Sequence, residues 1–184
     1  MRNRAALFVS FLALVFALTA SRQASAQAPE PLQLGVGYHL VHVSFDGAGE
    51  TFPIGLYTDL GRTLKSDDKK AWGWMGQFEA GFHRGDGFSD QLYTFLGGIR
   101  VASSKPLKWT PSGYGLIGAG MLNASCDKFC IGTKKGVAFQ GGVALTTRVN
   151  EKVAAVAAFK VTKIKFQSGS RFNTAVTGGL RISL

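Results

Sequence analysis

The sequence predicts an all-β fold, an eight-stranded antiparallel up-and-down transmembrane β-barrel. Three observations carry this. Apolar and polar residues alternate with a period of two through eight segments of the chain. The segments run to about ten residues or more, which suits a tilted strand crossing a bilayer and exceeds the usual soluble strand of about five or six. The polar side of the alternation is Gly, Ala, Ser, Thr and Gln with an isolated charge per strand. A face in bulk water would instead be rich in Lys and Glu.

The start of the 184-residue chain has a different character. Arg2 and Arg4 precede an uncharged apolar run, Ala5 to Ala20, and Ala24-Ser25-Ala26 follows with small residues. This is the build of a secretory signal peptide, residues 1–26, cleaved after Ala26. The run of 16 residues is short for a retained anchor helix, which needs about 20. The mature domain is 27–184. It keeps 18 of the 21 Lys and Arg and all 11 acids, for a net charge of +7. The positives are scattered, and export argues against nucleic acid, so anionic lipid headgroups or internal acids are the expected partners.

The eight segments are 32–45, 52–61, 72–83, 91–102, 107–122, 137–149, 152–166 and 171–184. Turn chemistry separates them, as in "RTLKSDDKKA", "RGDGFSD", "VNEK" and "QSGS". In the first, Leu32, Leu34, Val36 and Tyr38 oppose Gln33, Gly35, Gly37 and His39. In the second, Phe52, Ile54, Leu56 and Leu60 oppose Gly55, Tyr57 and Asp59. In the third, Trp72, Trp74, Phe78, Ala80 and Phe82 oppose Met75, Gln77, Glu79 and Gly81. The fifth is ambiguous in phase, and the first and seventh change phase near their upper ends, which a bulge would explain. In the sixth, Phe139, Val143 and Leu145 oppose Gln140, Gly142 and Ala144. In the eighth, Phe172, Val176, Leu180 and Leu184 oppose Asn173, Ala175, Thr177 and Arg181. A soluble lipocalin-like barrel would hold the apolar set inside. A narrow membrane barrel puts it against lipid and fills its interior with small residues and paired charges. Composition favours the second arrangement. Trp72, Trp74 and Trp109 then form one aromatic rim, and Phe45, Phe52, Phe82, Phe166 and Phe172 the other.

The stretches "LGVGYHL", "TFLGGIRV", "GYGLIGAG" and "GVAFQGGVALTTRVNEKVAAVAAFKV" resemble the small outer-membrane β-barrel family, related to the transmembrane domain of outer membrane protein A. The resemblance covers the mature chain. It implies residence in the bacterial outer membrane, both termini on the periplasmic side, and partners that are outer-membrane lipids and the barrel assembly machinery. That machinery reads a terminal Phe or Trp in the family, whereas this chain ends on Leu184. A monomer is expected, with an extracellular ligand at the loops as one use for them.

The chemistry on offer is modest. Asp59, Glu79, Arg100, Arg148, Lys160 and Arg181 fall on the lumen phase, where charges must be paired. They form either a fixed polar plug or a gate. Cys126 and Cys130 flank "DKF" in the longest loop, and an oxidising envelope favours a disulfide there. A metal site needs more ligands than this loop provides, and a redox pair is usually CxxC on a helix. His42 and Ser44 share a face, with Asp46 and Glu50 following, a set that a lipid deacylase could use. The plainer reading is polar residues at a strand end. No catalytic, cofactor or metal site is assigned. The leading function is structural or surface-interactive, with a narrow channel and a lipid-modifying enzyme as alternatives.

Overall fold

The computed structural model describes residues 31–45, 48–85, 88–105, 107–126 and 132–184. The expected leader 1–26 lies outside them. Among the described residues nine antiparallel strands make one sheet in the order β2-β1-β3-β4-β5-β6-β7-β8-β9, and β1 also pairs with β9. The strands are β1 (Gln33–Phe45), β2 (Ala48–Phe52), β3 (Ile54–Ser66), β4 (Lys70–Gly85) and β5 (Phe88–Ser103). They continue with β6 (Thr110–Cys126), β7 (Gly132–Arg148), β8 (Val153–Phe166) and β9 (Gly169–Ser183). Among the described residues no helix is long and apolar enough to cross a membrane.

Eight staves, not nine, form the wall, because β2 and β3 are two halves of one. Pro53 divides them. Proline has no N–H to give the ladder, so it belongs at a bulge. The pairing with β1 shows the extra residue: Val41 faces Phe52, but Tyr38 faces Leu56, one position out of step. Closure runs without interruption from Gln33↔Ser183 to Ser44↔Phe172. The Leu184 N–H then donates to the Leu32 carbonyl at 2.7 Å. The strands exceed the alternating segments at many ends, since ladder pairing continues where hydrophobic alternation has faded.

The apolar face is outside. Val36, Ile54, Leu56, Ile99, Ile117, Phe139, Val143, Phe159, Val176 and Leu180 are all exposed on the wall. Trp72 and Trp109 are also exposed, toward the end that carries the termini. An aromatic group covers β4 and β5, with Phe78 and Phe95 ring centres 4.7 Å apart and Phe82 edge-on to Tyr93 at 6.0 Å. Two residues assigned to the far aromatic rim are elsewhere. Phe52 and Phe166 point inward and are buried.

Those two belong to a larger correction. No bulge explains the phase changes in β1 and β8, whose ladders with β9 are unbroken. The lumen itself turns apolar toward the far end. Val41, Val43, Phe52, Leu92, Leu122, Ile164 and Phe166 are buried there in one cluster. Their outward neighbours turn polar: His42 and Ser44 on β1, Lys163 and Lys165 on β8. β6 is ambiguous in phase because its inward face is apolar already at mid-height and its outward face carries small residues. Leu116 and Leu122 lie inside while Gly115 and Ala119 are exposed.

At the terminus end the turns are tied by side chains. Asp67 accepts from the backbone N–H groups of Lys69 (2.9 Å) and Lys70 (2.7 Å). Asn150 does the same for Lys152 (2.9 Å) and Val153 (2.8 Å). Such Asx geometry fixes a hairpin.

Two predictions follow from the wall and the turns. Val176→Arg and Phe139→Arg should each cost about 2–4 kcal/mol of unfolding free energy in lipid vesicles, against about 0–1 for Val149→Arg in a terminus-end turn. Equal penalties would show that the wall does not face hydrocarbon. The two backbone N–H groups hold the exposed Asp67 carboxyl below its ordinary value of 3.8. A depressed carboxyl stabilises above its unfolded pKa, and that contribution disappears as pH falls through the folded one. Asp67→Ala should therefore lower the urea midpoint at neutral pH and leave it unchanged well below pH 3.8.

Candidate functional site

The inside of the barrel holds the chain's buried polar chemistry. Alternation aims residues of the same parity inward from every strand, so distant positions meet. Tyr57 and Asp59 come from β3, Gln77 and Glu79 from β4, and Thr94 from β5. Gln140 comes from β7, Lys160 and Thr162 from β8, and Arg181 from β9.

Four of the expected lumen charges form two ion pairs. Lys160 meets Glu79, and both are buried, Lys160 at 1% exposure. Glu79 also accepts from the Thr94 hydroxyl at 3.1 Å. The Lys160 ammonium lies 5.2 Å from the Tyr57 ring centre, an additional cation–π contact. Arg181 Nη2 donates to both oxygens of Asp59 at 3.1 Å. Each charge thus has a counter-charge, which a narrow lumen demands. Neutral groups make their own chain. Thr162 donates to the Gln140 amide oxygen at 2.8 Å, and Gln140 donates to the Gln77 oxygen at 2.8 Å. His39 Nε2 donates to the Ala80 carbonyl at 3.2 Å, so that nitrogen carries the ring proton.

The remaining two charges lie apart from these pairs. Arg100 is half-buried and donates to the Gln33 side-chain oxygen at 2.8 Å. Arg148 ends β7 exposed at the terminus end, because the strand there has passed beyond the enclosed lumen.

Glycine makes the network fit. A Cβ at Gly35 would overlap the Asp59 carboxylate, and one at Gly142 would overlap the Tyr114 ring. Beside the network lies a small cavity of about 10 Å³ bordered by His39, Glu79, Thr94, Thr162 and Asn173. That is about the space of one water. Above it stands the apolar cluster.

Near the far end the other candidates are separated. His42 Nδ1 is 3.1 Å from the Thr51 hydroxyl on the outer wall. Glu50 is engaged with His83, whose ring lies 5.8 Å from that of Phe52. Asp46 lies outside the described residues, so no carboxylate among them joins His42 and Ser44. Cys126 ends β6 and Cys130 is not described, so their expected bridge lies outside the described residues. No group of three His, Cys, Asp or Glu among the described residues could hold a metal ion.

Sequence reasoning singled out charges and gave less weight to Tyr57, Tyr114, Thr94 and Thr162. Their shared inward parity was the available signal. Pairing partners were not, since Glu79 and Lys160 are 81 positions apart.

The ion pairs generate one prediction. Glu79→Ala leaves Lys160 buried and uncompensated, at about 3–5 kcal/mol, whereas Glu79→Met/Lys160→Met should recover most of that loss. Urea unfolding in vesicles measures both. A double variant as unstable as the single would assign the penalty to lost packing instead of charge.

No family model matches the chain, and no curated protein does. Solved structures do. The chain is similar to Neisserial surface protein A (NspA), with a TM-score of 0.69, 8% identity, and coverage of 86% of this chain and 100% of that one. It is similar to Ail, the attachment invasion locus protein of Yersinia pestis, at 0.54 and 16%, covering 84% and 100%; Ail has also been crystallised with the heparin analogue sucrose octasulfate. The outer membrane enzyme PagL gives 0.51 and 10%, covering 82% and 99%. The expected relation to outer membrane protein A is not among the resemblances these structures carry. By closure, stave number and these likenesses, the chain has the fold of the small eight-stranded outer-membrane β-barrels.

Proposed function

We propose that the protein resides in the outer membrane as a closed barrel with a structural and surface-interactive role, termini toward the periplasm and far end outward. The observation that carries this is the filled lumen. Two buried ion pairs and an amide–hydroxyl chain cross its middle, and the cluster of Val41, Phe52, Leu92, Leu122, Ile164 and Phe166 closes it above. Water or ions passing through would have to separate charges held at contact in a low dielectric and wet an apolar plug. Polar groups remain accessible at the rims, and another protein of this fold, Ail, has been crystallised with sucrose octasulfate.

The reading includes no catalytic step. What supports this is the partnering of His42 with a hydroxyl and of Glu50 with His83, so that among the described residues no base and orienting acid are assembled at Ser44. In planar bilayers the purified protein should give no unit conductance. Reproducible single-channel steps would replace this reading with the narrow pore.

A further inference from the structure

The outer wall near the far end is unequal around the barrel. On β7 and β8 it carries Lys135, Lys163 and Lys165, all exposed and all on the outward parity with Val137, Phe139 and Val161. Lys163 lies across from Phe139, and Lys165 across from Val137. On the other side Lys163 faces Phe172 and holds its ammonium 5.0 Å from that ring centre. Lys135 is one outward position beyond Val137. The three ammonium groups therefore climb two adjacent staves, with ladder spacings of about 5 Å across and about 7 Å along.

Two further observations make this patch selective. Outward positions toward the same end on other staves are Ser44, Thr51, Gln91 and Asn123, with His42 on β1 and one cation, Arg84, on β4. No described carboxylate shares the outward face. Glu50, Asp59, Glu79 and Asp90 have lumen parity, and Asp67, Asp68 and Glu151 lie in terminus-end turns. Among the described residues the three lysines have no carboxylate partner. Directly beneath them the wall is Val137, Phe139, Val161 and Phe172, exposed and apolar.

We infer that this face of β7 and β8 binds a phosphorylated glycolipid of the outer leaflet, its phosphates on Lys135, Lys163 and Lys165 and its acyl chains on the apolar surface below. A headgroup with more than one phosphate can satisfy ammonium groups on two staves at once, whereas a single-phosphate lipid reaches only part of the set. The inference rests on the outward orientation of the far end proposed above.

The test uses the full mature barrel, refolded in detergent, with lipid A and dephosphorylated lipid A as probes and phosphatidylglycerol as the competing source of phosphate. Each lysine at an anionic surface contributes a factor of about five. Lys135→Gln/Lys163→Gln/Lys165→Gln should lower lipid A retention at least about tenfold, while Lys69→Gln/Lys70→Gln at the terminus end leaves it unchanged. Wild type should prefer lipid A to both other lipids. Its retention should fall between about 0.05 and 0.5 M salt, as screening requires. That last measurement holds even where the triple variant does not refold. Equal retention by wild type and a folded triple variant, indifference to phosphate, or salt-independent retention would each overturn the inference. A preference for phosphatidylglycerol would overturn it together with the orientation, and bilayer conductance judges the closed lumen independently of either.

Discussion

The whole structure depends on closing the backbone ladder of β1 onto β9. In hydrocarbon every N–H and C=O must find a partner within the protein, and a sheet with a free edge cannot provide that. Eight staves are enough to close, but the space they enclose is only wide enough for side chains. Closure thus creates a second demand. The interior must be filled with groups that satisfy one another, because neither lipid nor bulk water reaches them.

The lumen meets this demand in two different ways along its length. Its middle is polar, and every buried charge there has an opposite charge in contact. Space for such large partners comes from backbone positions without side chains, as where Asp59 occupies the room beside Gly35. Above it an apolar cluster packs by shape, and nearer the rim Glu50 is engaged with His83. A single closed wall therefore holds two kinds of core in series, and the polar one is shielded from the outside by the other.

The architecture was legible because its cause is periodic. Lipid on one side and a narrow lumen on the other impose a two-residue alternation, visible in residues such as Phe172, Val176 and Leu180 against Asn173, Thr177 and Arg181. Parity alone also placed Asp59, Glu79, Lys160 and Arg181 inside. Their pairing was not legible, since it depends on stave tilt and register across 81 positions for Lys160 with Glu79 and 122 for Arg181 with Asp59. The reversal of β1 and β8 near the far end was visible but was assigned to bulges. A pattern can invert because the chain slips or because its surroundings change, and only the ladder distinguishes the two. The bulge at Pro53 was hidden because Phe52 and Ile54 read as consecutive members of one apolar face.

That reversal has a mechanical consequence. β1 and β8 are amphipathic in one sense over most of their length and in the opposite sense at their tips. Lowering the barrel by one ladder step would drag Lys163 into hydrocarbon, while raising it would lift Phe139 and Val137 into the headgroups. Either shift opposes itself, the first at up to about 2–4 kcal/mol for a fully immersed lysine. The molecule therefore floats at a fixed draught, and the waterline is written across β7 and β8 where apolar side chains give way to ammonium groups.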